Sequence, residues 1–200
     1  MADKDADHAH RIASGYRRRY IERIVPTGVG LVFPFVEVGL KQLREAGWSI
    51  GVVTSKNHQG ALEILASAGL VSAIDLVVGA DDVADPKPPH PAPILAALER
   101  LGVPPKYAVM VGDSRYDIQS GGRAGVRTIG VSYGVGRASD LAEAGAGSVH
   151  GSFQGAVGGN WASVSQLMGA GHSQPSRPNV KVSSTCLPAD RIPWRLCTYG

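Results

Sequence analysis

The stretch Tyr107-Ala108-Val109-Met110-Val111-Gly112-Asp113-Ser114-Arg115-Tyr116-Asp117-Ile118 decides the fold of this 200-residue chain. Its apolar start predicts a buried strand, and the residues that follow favour a helix. Asp113 and Asp117 are four residues apart, so the end of the strand and the first turn of the helix can direct both carboxylates to one point. Open α/β sheets bind ligands at this edge, and Mg²⁺ is usually held by one or two carboxylates. The stretch therefore indicates a Mg²⁺ or phosphate site, or alternatively a tight turn whose Asp or Ser caps the next helix.

A second apolar strand ends in hydroxyl groups. Residues 49–53 are followed by Thr54, Ser55 and Lys56, and then by a helical pattern. A hydroxyl at the end of a strand, beside the N–H groups that open a helix, is well placed to hold a phosphate oxygen. The alternative is that these hydroxyls form an ordinary helix cap.

A single lysine lies in the proline-rich run Asp85-Pro86-Lys87-Pro88-Pro89-His90-Pro91. Prolines on both sides exclude Lys87 from a helix and stiffen its backbone. A lysine held in this way can neutralise phosphate and carboxylate charge as a point cation. The alternative is a proline-rich surface turn with an incidental lysine.

The hydrophobic pattern predicts strands alternating with helices, which is typical of a parallel sheet covered on both faces. Helices are expected near residues 10–24, 35–46, 57–69, 91–101, 115–124 and 137–144, and strands near residues 48–54, 75–79, 107–112, 127–132 and 147–150.

In their order along the chain, these elements resemble the haloacid dehalogenase superfamily of phosphohydrolases. Residues 52–56 are similar to its second motif, Lys87 to its third and residues 112–118 to its fourth, while residues 122–134 and 141–146 resemble the phosphoglycolate phosphatase and pyrophosphatase branch. Three ordered motifs are far more specific than one. The resemblance implies a Rossmann-like three-layer core and a Mg²⁺-dependent phosphatase lineage acting on a small phosphorylated substrate.

The same resemblance assigns roles to individual residues. Thr54 and Lys87 take catalytic positions, and together with Ser55 they hold the phosphate. Asp113 and Asp117 support the Mg²⁺ ion.

The family's first motif is not found in these 200 residues. That motif is an aspartate at the end of an apolar strand, followed by a second acid and Gly-Thr, and its first aspartate attacks phosphorus. Asp3, Asp5 and Asp7 lie in a polar stretch without such a strand. We therefore expect a phosphatase lineage that is inactive as this chain, and whether the chain is an enzyme stays open. The alternatives are a noncatalytic phosphate-binding or interaction module and a nonfunctional fragment.

In the family, the strand with the nucleophile lies in the middle of the sheet, between the strands of the second and fourth motifs. Without it, each unpaired buried N–H or C=O group costs about 1–3 kcal/mol. We therefore expect the chain to be unstable, to form a homo-oligomer or to be repaired by a replacement strand. Residues 179–185 alternate well enough for one short strand, although Pro188 and Pro193 prevent a longer one.

The composition and the resemblance to the family together divide the chain into four segments, and the cap remnant, like the boundaries of the core, is what the resemblance implies. Residues 1–9 form a polar tail, 10–32 the remnant of a helical cap, 33–153 the α/β core and 154–200 an irregular or disordered tail. The net charge is +3, and Arg17–Arg19, the one dense basic cluster, has no aromatic stacking platform beside it, so no nucleic-acid partner is expected. No apolar run reaches the roughly 18–20 residues of a membrane span, and the polar N-terminus favours the cytoplasm.

Overall fold

The computed structural model describes residues 32–84, 89–158 and 179–183. Its helices are α1 (Val36–Glu45), α2 (His58–Ser67), α3 (Ala92–Leu101), α4 (Arg115–Arg123), α5 (Ala138–Glu143) and α6 (Phe153–Gly158), with 3₁₀ turns at Val71–Ala73 and Pro105–Tyr107. Its strands are β1 (Ser49–Val53), β2 (Leu76–Val78), β3 (Ala108–Gly112), β4 (Arg127–Val131), β5 (Ser148–His150) and β6 (Asn179–Ser183).

The pattern-based elements of the core are confirmed. All five predicted strands, and the five predicted helices that fall within the described residues, agree with the structure to within two residues at each end. The predicted helix near residues 10–24 and the polar tail at 1–9 lie outside the described residues. The core is predictable because each strand is a short apolar run and each helix carries an apolar stripe.

The six strands form one sheet in the order β2-β1-β6-β3-β4-β5, and all its pairings are parallel. On β3, Val109 and Val111 join the core cluster that includes α1 and α6, whereas Ala108 and Met110 join the cluster that includes α3. The sheet is therefore buried on both faces, and the expected α/β class is confirmed.

Strand β6 lies at the centre of the sheet and comes from the C-terminal part of the chain. Its residues pair with β1 from Ser49↔Asn179 to Val53↔Ser183, and with β3 from Ala108↔Asn179 to Val111↔Val182. Residues 179–183 thus pair as the replacement strand that was one of the three expected outcomes, whereas instability and homo-oligomer formation stay predictions.

Two elements form where an irregular or disordered tail over residues 154–200 was expected. Helix α6 continues to Gly158, and β6 is a regular strand. The physical reason for β6 is that the centre of a sheet offers hydrogen-bonding partners on both sides, which a short segment lacks in isolation. The rest of residues 159–200 lies outside the described part of the chain.

Within residues 32–84, 89–158 and 179–183, no helix is both long and apolar enough to cross a bilayer.

Candidate functional site

Thr54 and Asp113 follow the two strands that flank β6. Val53 pairs with Ser183 on one side of β6, and Val111 pairs with Val182 on the other. Gly112 is therefore level with Val53 along the strand direction. The next residues, Thr54 and Asp113, lie equally far beyond the carboxyl ends of their strands. Because neighbouring strands lie about 4.8 Å apart, their backbones are separated by roughly 10 Å across β6. Both side chains are buried, and each follows the carboxyl end of its strand.

The carboxylate of Asp113 is held under the loop that follows β4. Its Oδ2 atom accepts a hydrogen bond of 2.7 Å from the main-chain N–H of Val135, and its main-chain carbonyl accepts one of 2.8 Å from Gly136. A Cβ atom on Gly134 would collide with the Asp113 carboxylate, and one on Gly136 would collide with the Asp113 carbonyl. The two glycines allow the loop to cover Asp113 closely.

That covering loop is itself anchored at two points. The rings of Phe33 and Tyr133 lie 4.6 Å apart between centroids, at an interplanar angle of 58°. The N–H of Ser132 donates a 2.9 Å hydrogen bond to the carbonyl of His150. Sequence reasoning noted Gly134 only as part of the family resemblance and missed the loop's contact with Asp113. The pattern Gly134-Val135-Gly136 was the signal that could have indicated it.

Asp117 belongs to the cap of α4. Its Oδ2 atom accepts hydrogen bonds from the Ser114 hydroxyl at 2.8 Å and from the Ser114 N–H at 3.1 Å. Its own N–H donates in return to the Ser114 hydroxyl at 3.2 Å, which completes a capping box. The helix-cap interpretation of Gly112-Asp113-Ser114 is therefore right for Ser114. Asp113, which is buried at the end of β3, is not the N-cap of the helix.

The hydroxyls after β1 do not cap α2. The N-cap of α2 is Asn57, whose side chain accepts a 2.9 Å hydrogen bond from the Gly60 N–H. Thr54 instead accepts a 3.1 Å hydrogen bond at Oγ1 from the Lys56 N–H, which closes a tight turn. Ser55 lies in this turn, half-buried. The ordinary-cap alternative for Thr54 and Ser55 is therefore wrong.

The loop after β2 is bound to the start of α2. The main-chain N–H of His58 donates to Asp81 Oδ1 at 2.7 Å, and the Ala80 N–H donates to the Lys56 carbonyl at 2.8 Å. A Cβ on Gly79 would collide with the backbone of His58, so the two segments are in close contact. Asp81 thus accepts one of the N–H groups that open α2.

Asp82, in the same loop, contacts both His58 and the main chain of its own loop. Its Oδ2 atom lies 2.7 Å from Nδ1 of His58 and accepts a 2.7 Å hydrogen bond from the Gly79 N–H. Burial acts to raise the pKa of the Asp82 carboxyl, but the hydrogen bonds from Gly79 and His58 lower it. The charges of His58 and Arg100 lower it further, and the net pKa lies below its ordinary value of 3.8.

Lys87 lies outside the described residues, so its predicted role as a phosphate ligand stays a prediction. The carboxylates of Asp113 and Asp117 are ligands of the type that Mg²⁺ takes. This ion usually binds one or two carboxylates and completes its coordination shell with water and phosphate oxygens. Among the residues that the structure places, no three His, Cys, Asp or Glu side chains gather at one point. A metal here would therefore have few protein ligands.

Comparison with known proteins identifies the lineage. The family model described as haloacid dehalogenase-like hydrolase matches residues 5–131. The chain belongs to this family, as its motifs predict.

Three known proteins illustrate the similarity. The chain is 43% identical over 120 residues to the Probable phosphatase IndB of Dickeya dadantii, covering 60% of this chain and 52% of that protein. It is 36% identical over 143 residues to the Phosphoglycolate phosphatase of Escherichia coli K12, covering 70% and 56%. The crystal structure of a hydrolase from Pseudomonas syringae aligns with a TM-score of 0.62 and 25% identity, covering 72% and 65%. The chain spans about half the length of these curated relatives.

Proposed function

We propose that this chain is a core of the haloacid dehalogenase-like phosphatase lineage that binds a small phosphorylated ligand together with Mg²⁺ without hydrolysing it through an aspartyl nucleophile of its own. The observation that carries the proposal is the placement of β6. Thr54 and Asp113 stand level on its two sides, while its five residues, Asn179–Ser183, include no Asp or Glu.

In this proposal the phosphate is held from one side by the chain after β1 and by Lys87. The turn formed by Thr54 and Lys56 presents a buried hydroxyl, and Ser55 adds a second hydroxyl beside it. Lys87 supplies positive charge that attracts the phosphate. Its flanking prolines restrict the free chain, so less conformational entropy is lost when the phosphate binds.

On the other side, Asp113 and Asp117 hold the Mg²⁺ ion. Bound Mg²⁺ supplies positive charge that neutralises phosphate oxygens. Asp113 contributes a buried carboxylate that the Val135 N–H already orients. Asp117 contributes a carboxylate that is held by Ser114. Because Asp113 and Asp117 are already ordered, they lose less side-chain entropy when the ion binds.

A second candidate function is hydrolysis of a phosphate monoester. It is supported by the curated relatives that carry the name phosphatase, one of them at 43% identity. The reaction needs a nucleophile that residues 1–200 do not carry in the family's Asp-x-Asp-Gly-Thr form. Which phosphate ester binds, whether the chain self-associates and whether it resides in the cytoplasm stay predictions.

The proposal is tested by the melting temperature of the purified chain with inorganic phosphate, Mg²⁺ or both. A ligand that binds only the folded state at 100 times its Kd stabilises the protein by about 2.7 kcal/mol. We expect the two ligands together to raise the melting temperature of the parent, and Asp113→Asn to abolish the rise. Asp140→Asn, an exposed aspartate on α5, is the matched control and keeps it.

The phosphate side of the site has a matched pair of buried threonines. Thr54→Val removes the hydroxyl at the proposed phosphate site, beyond the carboxyl end of β1. Thr128→Val removes a buried hydroxyl near the amino end of β4, at the opposite end of the strands. Both changes cost folding stability, but only Thr54→Val should weaken the response to phosphate. An equal response in the two variants, or no response in the parent, contradicts the proposal.

A further inference from the structure

Strand β6 is the only element of the described sheet that joins its two halves. On one side of β6 the strands are β2 and β1, and on the other they are β3, β4 and β5. The facing edges of β1 and β3 pair only with β6. Without it, each edge would expose a row of N–H and C=O groups in the middle of the molecule.

The connection to β6 differs from the connections among the other strands. The strands β1 to β5 follow one another with helices between them, as in ordinary βα units. Twenty residues, 159–178, separate the end of α6 from the start of β6. Fully extended, twenty residues reach about 65–70 Å, whereas a domain of about 130 residues has a radius of gyration of about 14 Å. The chain's own C-terminal segment can therefore reach the centre of the sheet without a second copy.

We propose that the central position between β1 and β3 is a strand-docking site, which this chain fills with its own residues 179–183. The site recognises an extended segment running parallel to both neighbours. Main-chain hydrogen bonds provide most of the affinity, as in other cases of strand addition. A segment in which valines alternate with polar residues, as in Asn-Val-Lys-Val-Ser, suits the position because its valines have high strand propensity.

Docking of this kind is exchangeable, because twenty residues of sequence separate β6 from the helix before it, whereas no more than eight separate each of the other strands from theirs. A peptide with the same sequence should therefore replace β6 when the chain's own segment is prevented from pairing. The proposal concerns the sheet and does not depend on phosphate binding.

The first test is amide hydrogen exchange on the unmodified 200-residue chain, with its mass in solution measured by light scattering. We expect amides of residues 179–183 to be protected to a similar degree as those of β1 and β3, in a monomer. Exchange of these amides at the rate of an unstructured chain overturns the proposal. Protection found only in a dimer shows that a second copy supplies the strand, which overturns the intramolecular docking.

The second test prevents pairing at one residue. Val182→Pro removes a main-chain donor at the centre of the sheet, and Val182→Thr is its matched control, since threonine keeps the donor and the branched Cβ. We expect protection of β1 and β3 to fall by about tenfold or more in Val182→Pro and to change little in Val182→Thr.

A synthetic peptide of residues 178–185 then tests exchange directly. It should restore the protection of β1 and β3 in Val182→Pro, whereas the same peptide with proline at position 182 should not. Equal protection of β1 in the parent and in both variants overturns the docking site, and failure of the peptide to restore protection overturns the exchange. If Val182→Pro yields no folded protein, the protection of residues 179–183 in the parent decides the proposal.

Discussion

Nδ1 of His58, at the start of α2, lies 2.7 Å from Oδ2 of Asp82, in the loop after β2. The pair joins two segments that are 24 residues apart, the start of the helix after β1 and the loop after β2. The same Asp82 oxygen also accepts the Gly79 N–H, so one carboxylate fixes both its own loop and the neighbouring helix.

This pair predicts a specific pH dependence of stability. Because folding lowers the pKa of Asp82 below 3.8, the carboxylate stabilises the folded state fully at pH values above 3.8. That stabilisation is lost as the pH falls through the lowered folded-state pKa. The difference in melting temperature between the parent and Asp82→Asn should therefore be largest above pH 5 and should shrink toward pH 3.

The exposed Asp140 provides the comparison for this measurement. Asp140→Asn should show a small difference in melting temperature at neutral pH. A difference for Asp82→Asn that stays constant from pH 6 to pH 3 would mean that the Asp82 carboxylate is not stabilised by folding.

Gly134 should be intolerant of any side chain. A methyl group at this position meets the Asp113 carboxylate, so Gly134→Ala must displace either the loop or the carboxylate, at a cost of about 1–3 kcal/mol. We expect the variant also to lose the increase in melting temperature produced by phosphate and Mg²⁺.

Gly122→Ala is the matched substitution for Gly134→Ala. Gly122 lies within α4, and a Cβ there meets no atom within 4 Å. Alanine in a helix is favoured over glycine by about 0.5–1 kcal/mol, so this variant should be more stable than the parent and should keep its ligand response. Equal behaviour of the two variants in urea unfolding and in thermal shift would argue against a close fit of the loop over Asp113.

Substitutions in the capping box separate a structural role of Asp117 from a metal-binding one. Ser114→Ala removes the N-cap hydroxyl and should lower the free energy of unfolding by about 1 kcal/mol. It keeps the Asp117 carboxylate, so the stabilisation by Mg²⁺ with phosphate should persist.

Asp117→Asn loses the carboxylate and should weaken both the cap and the response to Mg²⁺. Calorimetric titration of Mg²⁺ in the presence of phosphate measures the second effect separately from the first. If Asp117→Asn binds Mg²⁺ as tightly as Ser114→Ala does, Asp117 is a helix cap alone.

The parts of the fold that the sequence predicts well are those with local signals. The apolar run before Gly112 predicts β3, and the polar residues after it predict the edge where Asp113 lies. Thr54 and Asp113 lie at the same end of the sheet because the carboxyl ends of parallel strands are all on one side.

The parts that the sequence predicts poorly depend on contacts between distant segments. The covering of Asp113 by Val135 joins residues 22 positions apart, and the pairing of His58 with Asp82 spans 24. Residues 179–183 carry only a short alternating pattern, and their strand is stabilised by edges that other segments create. Periodicity alone gives no information on such partners.

The most direct test of phosphate binding without turnover is a phosphorus NMR spectrum of a small aryl phosphate, recorded over time with the purified chain and Mg²⁺. We expect the ester resonance to broaden with the parent and to stay sharp with Asp113→Asn, while no inorganic phosphate accumulates in either sample. An ester resonance that the parent leaves unchanged would contradict binding. Growth of the inorganic phosphate signal with the parent but not with Asp113→Asn would show that the chain is an active phosphatase and that another residue acts as the nucleophile.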